Sequence, residues 1–161
     1  MTGVYVLLGV IAVVAVFGAT RWRLDGRIRT VTPLPASTHA TPPDLEVLTG
    51  LGFAPDEAAV TFVQFSSAFC QPCRATRAIL SDVAATVPGV RHVEVDAEAQ
   101  LDAVRALGIV RTPTTLVVDR RGLVVQRASG QPRKADVIAS AGRIILGVPQ
   151  VSAQVSDGET R

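Results

Sequence analysis

The sequence predicts an α/β domain, a mixed sheet flanked by helices, preceded by a single N-terminal transmembrane helix and a Pro-rich linker. Three observations predict it. Between Asp44 and Leu146, apolar runs of strand length alternate with amphipathic stretches of helical period; Thr114–Asp119 and Leu123–Ala128 are separated only by Arg120-Arg121-Gly122; and residues 1–20 carry no charged side chain. Strand, helix and strand in succession give a parallel pair through a right-handed crossover, whereas a short turn gives an antiparallel hairpin, so the sheet must be mixed. A length of 161 residues allows one such domain with appendages. The net charge of +2 is too small, and the basic residues too scattered, for a nucleic-acid footprint.

Residues 1–20 are long enough as a helix to cross a bilayer, and they account for much of the excess by which the 48% hydrophobic content exceeds that of an ordinary soluble chain. No Lys or Arg precedes the apolar run and no A-x-A-type site closes it, so it reads as an uncleaved anchor rather than a signal peptide. Arg21, Arg23, Arg27 and Arg29 follow the span, which by the positive-inside rule places the domain on the cytoplasmic face, the extracytoplasmic face being the alternative. Trp22 fits an interfacial anchor. Residues 21–43 read as a basic flank and a Pro-rich linker, a semi-rigid spacer holding a solvated His39.

The domain is expected over residues 44–147. Leu45–Leu48 is expected as a short edge strand and Pro55–Ala59 as a helical turn before the β-prone run Val60–Phe65. Arg74–Val87 carries Ile79, Leu80, Val83, Ala84 and Val87 at helical spacing and is stopped by Pro88-Gly89. Val90–Val95 supplies the next strand, and Ala97–Leu107 a helix closed by Gly108. The hairpin follows, then a last helix from about Pro132 to Leu146, with Val137, Ile138, Ala141, Ile144 and Ile145 facing the sheet. Residues 148–161 lack a pattern and are expected as a flexible tail.

The stretch Phe69-Cys70-Gln71-Pro72-Cys73-Arg74 contains the only two cysteines, three apart, at a strand-to-helix junction. Unpaired backbone N–H groups and the helix dipole at that position favour a thiolate, as a reversible thiol–disulfide exchanger requires. A structural disulfide closing so small a loop gains little, a zinc site lacks ligands because His39 and His92 stand in no finger-like spacing, and Pro72 and Arg74 argue against two inert buried thiols.

These residues resemble the thioredoxin superfamily over roughly Asp44 to Leu146. Phe69 to Arg74 is similar to its aromatic-Cys-x-Pro-Cys-basic motif, and Arg111-Thr112-Pro113-Thr114-Thr115 to its cis-proline segment; Asp96 and Gly130 also fall where the family pattern puts them. The resemblance implies that Cys70 is the attacking sulfur, Cys73 the resolving one, and Pro113 a cis proline facing the pair, an ordinary trans proline being the alternative. It further implies that Thr112 pairs with a substrate strand and that Phe69, Gln71, Pro72 and Gly130 line the binding surface, with no metal and no cofactor. Two departures stand out. Gln64 replaces a buried Asp that handles the resolving thiol's proton, and His92 falls near the position of that Asp's Lys partner, where it reads as a satisfied strand histidine or, as the alternative, as a replacement for the missing carboxylate, directly or through water. Ser66 and Phe69 replace two tryptophans.

The function expected is therefore that of a membrane-anchored thiol–disulfide oxidoreductase of protein-disulfide reductase type, with protein or small-molecule disulfides and dithiols as substrates and an electron donor as partner. Arg74 and Arg77 are placed to favour the thiolate or to face solvent. A Cu(I) carrier and a non-catalytic adaptor are the alternatives.

Overall fold

The computed structural model describes residues 2–24, 28–30 and 44–147. His39, the Pro-rich residues 31–43 and the tail 148–161 lie outside the described residues, as do the side chains of Arg21, Trp22, Arg23, Arg27 and Arg29.

The elements run α1 (Thr2–Leu24), β1 (Ile28–Thr30), α2 (Leu45–Gly50), β2 (Val60–Ser66), α3 (Gln71–Thr86), β3 (Val90–Asp96), α4 (Leu101–Ala106), β4 (Thr114–Asp119), β5 (Val124–Ser129) and α5 (Lys134–Ile145). Among the described residues, five strands form one sheet in the order β1-β5-β4-β2-β3, with β2 and β3 parallel and the β2–β4, β4–β5 and β1–β5 pairs antiparallel. The mixed sheet expected from the sequence is present.

Both β2 and β4 are buried along their whole length, which is why each is a nearly continuous apolar run rather than an alternating one. Side-chain alternation sends Val60, Phe62 and Val117 to one face, where they pack with Leu80 and Val83 of α3 and Val137 and Ala141 of α5. Val63, Phe65, Leu116 and Val118 point to the other, against Leu48 of α2 and Leu107 and Ile109 around α4. The sheet is thus covered on both faces, and the loops beyond the C-terminal end of β2 are left to carry chemistry.

Two elements differ from expectation. Leu45–Gly50 is a helix, not an edge strand: Leu45, Leu48 and Leu51 share its apolar side, and a window of four residues cannot separate a period of 2 from one of 3.6. Within the stretch assigned to flank and linker, Ile28–Thr30 pairs with β5 as β1, and Ile28 packs against the α3/α5 side of the core. Three residues give too short a pattern to read as a strand.

The stretch expected to span a bilayer is helical, as α1. Its side chains are described for residues 5–19, all exposed, and among the described residues no helix is long and apolar enough to cross a membrane.

The hairpin turn depends on Asp119, whose Oδ1 accepts the N–H groups of Arg121 and Leu123, both at 2.9 Å, while Gly122 donates to the Asp119 carbonyl at 3.0 Å. Gly122 has φ +86°, and a Cβ there would overlap Leu45 of α2. The left-handed backbone therefore favours glycine, and a side chain there would also have to displace the end of Leu45.

Leu80 is fully buried between α3 and the sheet. Leu80→Ala is expected to cost about 2–5 kcal/mol in chemical denaturation, whereas Val110→Ala, at a side chain 95% exposed, should stay within about 0.5 kcal/mol.

Candidate active site

The site forms where β2 ends and α3 begins. Cys70 is the N-cap of α3, with extended backbone (φ −82°, ψ 98°), so its side chain lies over the first turn; the Cys73 N–H donates to the Cys70 sulfur at 3.2 Å. Pro72, in that first turn, lacks an N–H that would have no partner there. Cys70 and Cys73 are joined by a disulfide (S–S 2.04 Å, Cα–Cα 5.2 Å). Cys73 is buried at 2% exposure while Cys70 is half-buried, so only the first sulfur is open to a visitor.

Phe69, directly before the pair, has φ +58° and is 99% exposed. A bulky residue in left-handed backbone is a conformational outlier, and an aromatic ring held entirely in water is a second cost in the same residue. Gln71 and Pro72 are exposed beside it, with Arg74 hydrogen-bonded to the Gln71 side-chain oxygen.

Two further loops meet this one. The Thr112–Pro113 bond is cis, as the resemblance implies, and Thr112 Oγ1 lies 2.8 Å from Ser67 Oγ, which ties the cis-proline segment to the loop preceding the cysteines. Gly130 donates its N–H to the Pro113 carbonyl at 2.8 Å, and Arg111 Nη2 donates to Ser129 O at 3.3 Å. The ends of β2 and β5 and the start of β4 thus bring Phe69, Cys70, Thr112, Pro113 and Gly130 to one end of the sheet.

Beneath the cysteines lies a polar group that local sequence reasoning only partly finds. Gln64 is fully buried, and its Nε2 donates to Cys73 O (3.0 Å) and to Ser66 Oγ (2.8 Å). Its Oε1 lies 3.2 Å from His92 Nε2, and His92 Nδ1 lies 3.1 Å from Ser81 Oγ. Ser66 in turn donates to Glu94 Oε1 at 2.8 Å, and Glu94 pairs with Arg77 at 2.5 Å. Gln64 and His92 are thus brought together, but His92 meets the amide of Gln64. Arg77 is committed to Glu94.

The sequence alone does not single out Glu94 or Ser81, and it marks Ser66 only as a replaced tryptophan. The available signal is the even-numbered alternation of β3, which places His92 and Glu94 on one face, in parallel register with Phe62 and Gln64.

Burial lowers the His92 pKa below 6.5; the Glu94 carboxylate works against this and the Arg77 guanidinium with it. For Glu94, burial alone would raise the pKa, but hydrogen bonds from Arg77 and Ser66, with the guanidinium charge, hold it below 4.5. Both groups bind a proton less readily folded than unfolded, so each contributes stability above its unfolded pKa that is lost as pH falls through the folded one. Stability should begin to fall below about pH 6.5 and fall further below about pH 4.5. His92→Gln is expected to remove the first decline and Glu94→Gln the second in denaturation midpoints measured across that range.

The sequence profile of the family described as Thioredoxin matches residues 54–142, more than half of the chain. No curated protein matches the chain. Among solved structures, a chloroplastic thioredoxin z is similar at TM-score 0.54 and 21% identity, over 63% of this chain and 89% of its own. A thioredoxin-2 described as part of a malaria parasite's protein secretion machinery is similar at TM-score 0.52 and 15% identity, over 56% and 88%. A single-site mutant thioredoxin from Halobacterium salinarum is similar at TM-score 0.53 and 14% identity, over 66% and 96%. At these identities the structural likeness concerns the fold. The profile match, together with a bridged cysteine pair at the start of α3, supports a thiol–disulfide redox function, and the chain belongs to the thioredoxin family.

Proposed function

We propose that the chain is a membrane-attached thiol–disulfide oxidoreductase that works as a protein-disulfide reductase. The observation that carries the reading is the unequal exposure of two bridged sulfurs at a helix N-terminus: Cys70 half-buried over the first turn, Cys73 covered beneath it. In the reduced pair, N–H groups of that turn and the helix dipole stabilise negative charge on Cys70.

The Cys70 thiolate attacks one sulfur of a substrate disulfide, breaking its S–S bond; the leaving thiolate takes a proton, and a mixed disulfide to Cys70 remains. Cys73 loses its proton and attacks the Cys70 sulfur, which closes the bridge and expels the second substrate sulfur as a thiol. Two electrons pass to the substrate, and a dithiol donor restores the pair by the reverse exchange. Thr112 and Pro113 supply the strand-like edge against which the substrate lies, with Gly130 behind them and Gln71 and Pro72 alongside. Phe69 offers an apolar contact, and its left-handed backbone and full exposure are explained if a partner covers it.

Attachment to the membrane is supported by the uncharged residues 1–20 and by the exposed apolar side chains of α1, including Tyr5, Leu7, Leu8, Ile11, Val14 and Phe17. The arginines following the helix favour the cytoplasmic face for the domain, where the thiol pool is reducing.

Insulin reduction with dithiothreitol as donor is expected to be accelerated by the wild-type chain and to fall to the uncatalysed rate with Cys70→Ser, while Cys73→Ser accumulates the mixed disulfide. Equal rates for wild type and Cys70→Ser would overturn the reading in favour of an adaptor or metal carrier. Cys70 also reports topology: a membrane-impermeant maleimide should label it only after permeabilisation, and labelling of intact cells would place the domain outside.

A further inference from the structure

The polar group under Cys73 has a fixed donor order. Gln64 sends its two N–H donors to Cys73 O and Ser66 Oγ, so its carbonyl oxygen must face His92, and His92 Nε2 must carry a hydrogen. Ser66 Oγ receives the Gln64 N–H and therefore turns its own hydrogen to Glu94. On the far side of the imidazole, the Ser81 hydroxyl donates to a neutral Nδ1 and, by rotating, accepts from a protonated one. A second proton on His92 finds a partner by rotation of one hydroxyl, with no heavy atom moved.

We propose that the charge state of His92 sets the redox poise of the Cys70–Cys73 pair through Gln64, the imidazolium favouring the reduced, thiolate-bearing pair. His92 is a positioning residue, because an amide separates it from the cysteines and an amide does not pass a proton along. A charged imidazole pulls on the Gln64 carbonyl, polarises the amide and strengthens its N–H bond to Cys73 O in the first turn of α3. It also sets a positive charge on a half-buried side chain one amide away from the Cys73 backbone, whereas a disulfide bears no charge to respond. The coupling is reciprocal: the thiolate must raise the proton affinity of His92.

The groups facing His92 leave it free to switch. Arg77 of α3 and Glu94 of β3 act on it in opposite senses and are committed to each other, while Gln64 of β2 and Ser81 of α3 are uncharged. Next to Ser81 on α3, Asp82 is paired with Lys134 of α5, and Arg91, the preceding residue of β3, with Glu57. Burial keeps the imidazole neutral near pH 7 in the disulfide form.

The proton count follows. A dithiol donor that reduces the pair becomes a disulfide and releases two electrons and two protons. The electrons break the Cys70–Cys73 bond; one proton goes to Cys73, Cys70 remains thiolate, and the second proton is taken by His92 in the pH window between its two midpoints. Above that window the second proton goes to solvent. Reduction therefore consumes one more proton inside the window than above it.

The inference rests on the proposed thiol–disulfide function, and two measurements on the full-length chain in detergent micelles test it. The chain has two histidines, so in a His39→Gln background the imidazole Cε1–H signal belongs to His92 and can be titrated in the disulfide and the reduced forms. Its midpoint is expected to rise on reduction, by about fivefold or more in proton affinity. The equilibrium constant with glutathione, followed against pH, should then change by up to about tenfold more per pH unit, about 30 mV, in wild type than in His92→Gln, which keeps an N–H donor for Gln64 but cannot titrate. Gln64→Leu should reduce the difference between the midpoints; if that buried substitution does not fold, the titration of the His92 form still decides. Equal His92 midpoints in both redox forms, with a pair that cycles normally, would overturn the inference and leave the proposed function standing. A pair that neither opens nor closes overturns both.

Discussion

The Cys73 N–H, in the first turn of α3, reaches both the carbonyl oxygen (3.1 Å) and the sulfur (3.2 Å) of the N-cap Cys70. Everything else at the site is arranged around that contact. For the sulfur to reach it, Cys70 must be extended while Gln71 is already helical; the chain entering from β2 must turn sharply, and the turn falls on Phe69 in left-handed backbone. The same helix geometry carries Cys73 one turn further in and under cover. Unequal exposure of the two sulfurs is thus a consequence of where the helix starts.

A helix held so close to a sheet needs its inner polar atoms satisfied. Gln64 meets that need with both N–H donors and its carbonyl in use, at a position where burial leaves no water to compensate. A neutral amide at the centre passes the charged work outward, to the Glu94–Arg77 pair and to His92 at the strand with an open edge. The carboxylate in contact with this group is Glu94 of β3, where the resemblance would have placed one on β2.

Much of this is legible in the sequence, and the residues explain why. Val60–Phe65, Val90–Val95 and the Thr114–Ala128 hairpin are long enough for period and turn chemistry to declare themselves, and the cysteine motif and the Thr112-Pro113 segment are local signals. Leu45–Leu48 and Ile28–Thr30 are too short for a period to be measured, so the first reads as a strand when it is a helix and the second shows no element at all. Glu94 and Ser81 belong to the site, and Ser66 takes its part in it, only because β2 and β3 pair in one register and α3 lies over them. Such convergence depends on tertiary placement, which no single segment encodes.

The pairing of β1 with β5 changes what surrounds the catalytic end of the molecule. Leu24 closes α1 and Ile28 opens β1, so the sheet edge can lie no further than about 15 Å of extended chain from the end of the apolar helix. The prolines at 33, 35, 42 and 43 fall after that edge, inside the domain's own connectivity, and do not lengthen the leash. Under the proposed attachment, so short a tether keeps the β1 edge of the sheet near the end of α1 and limits how far the domain can swing away from it.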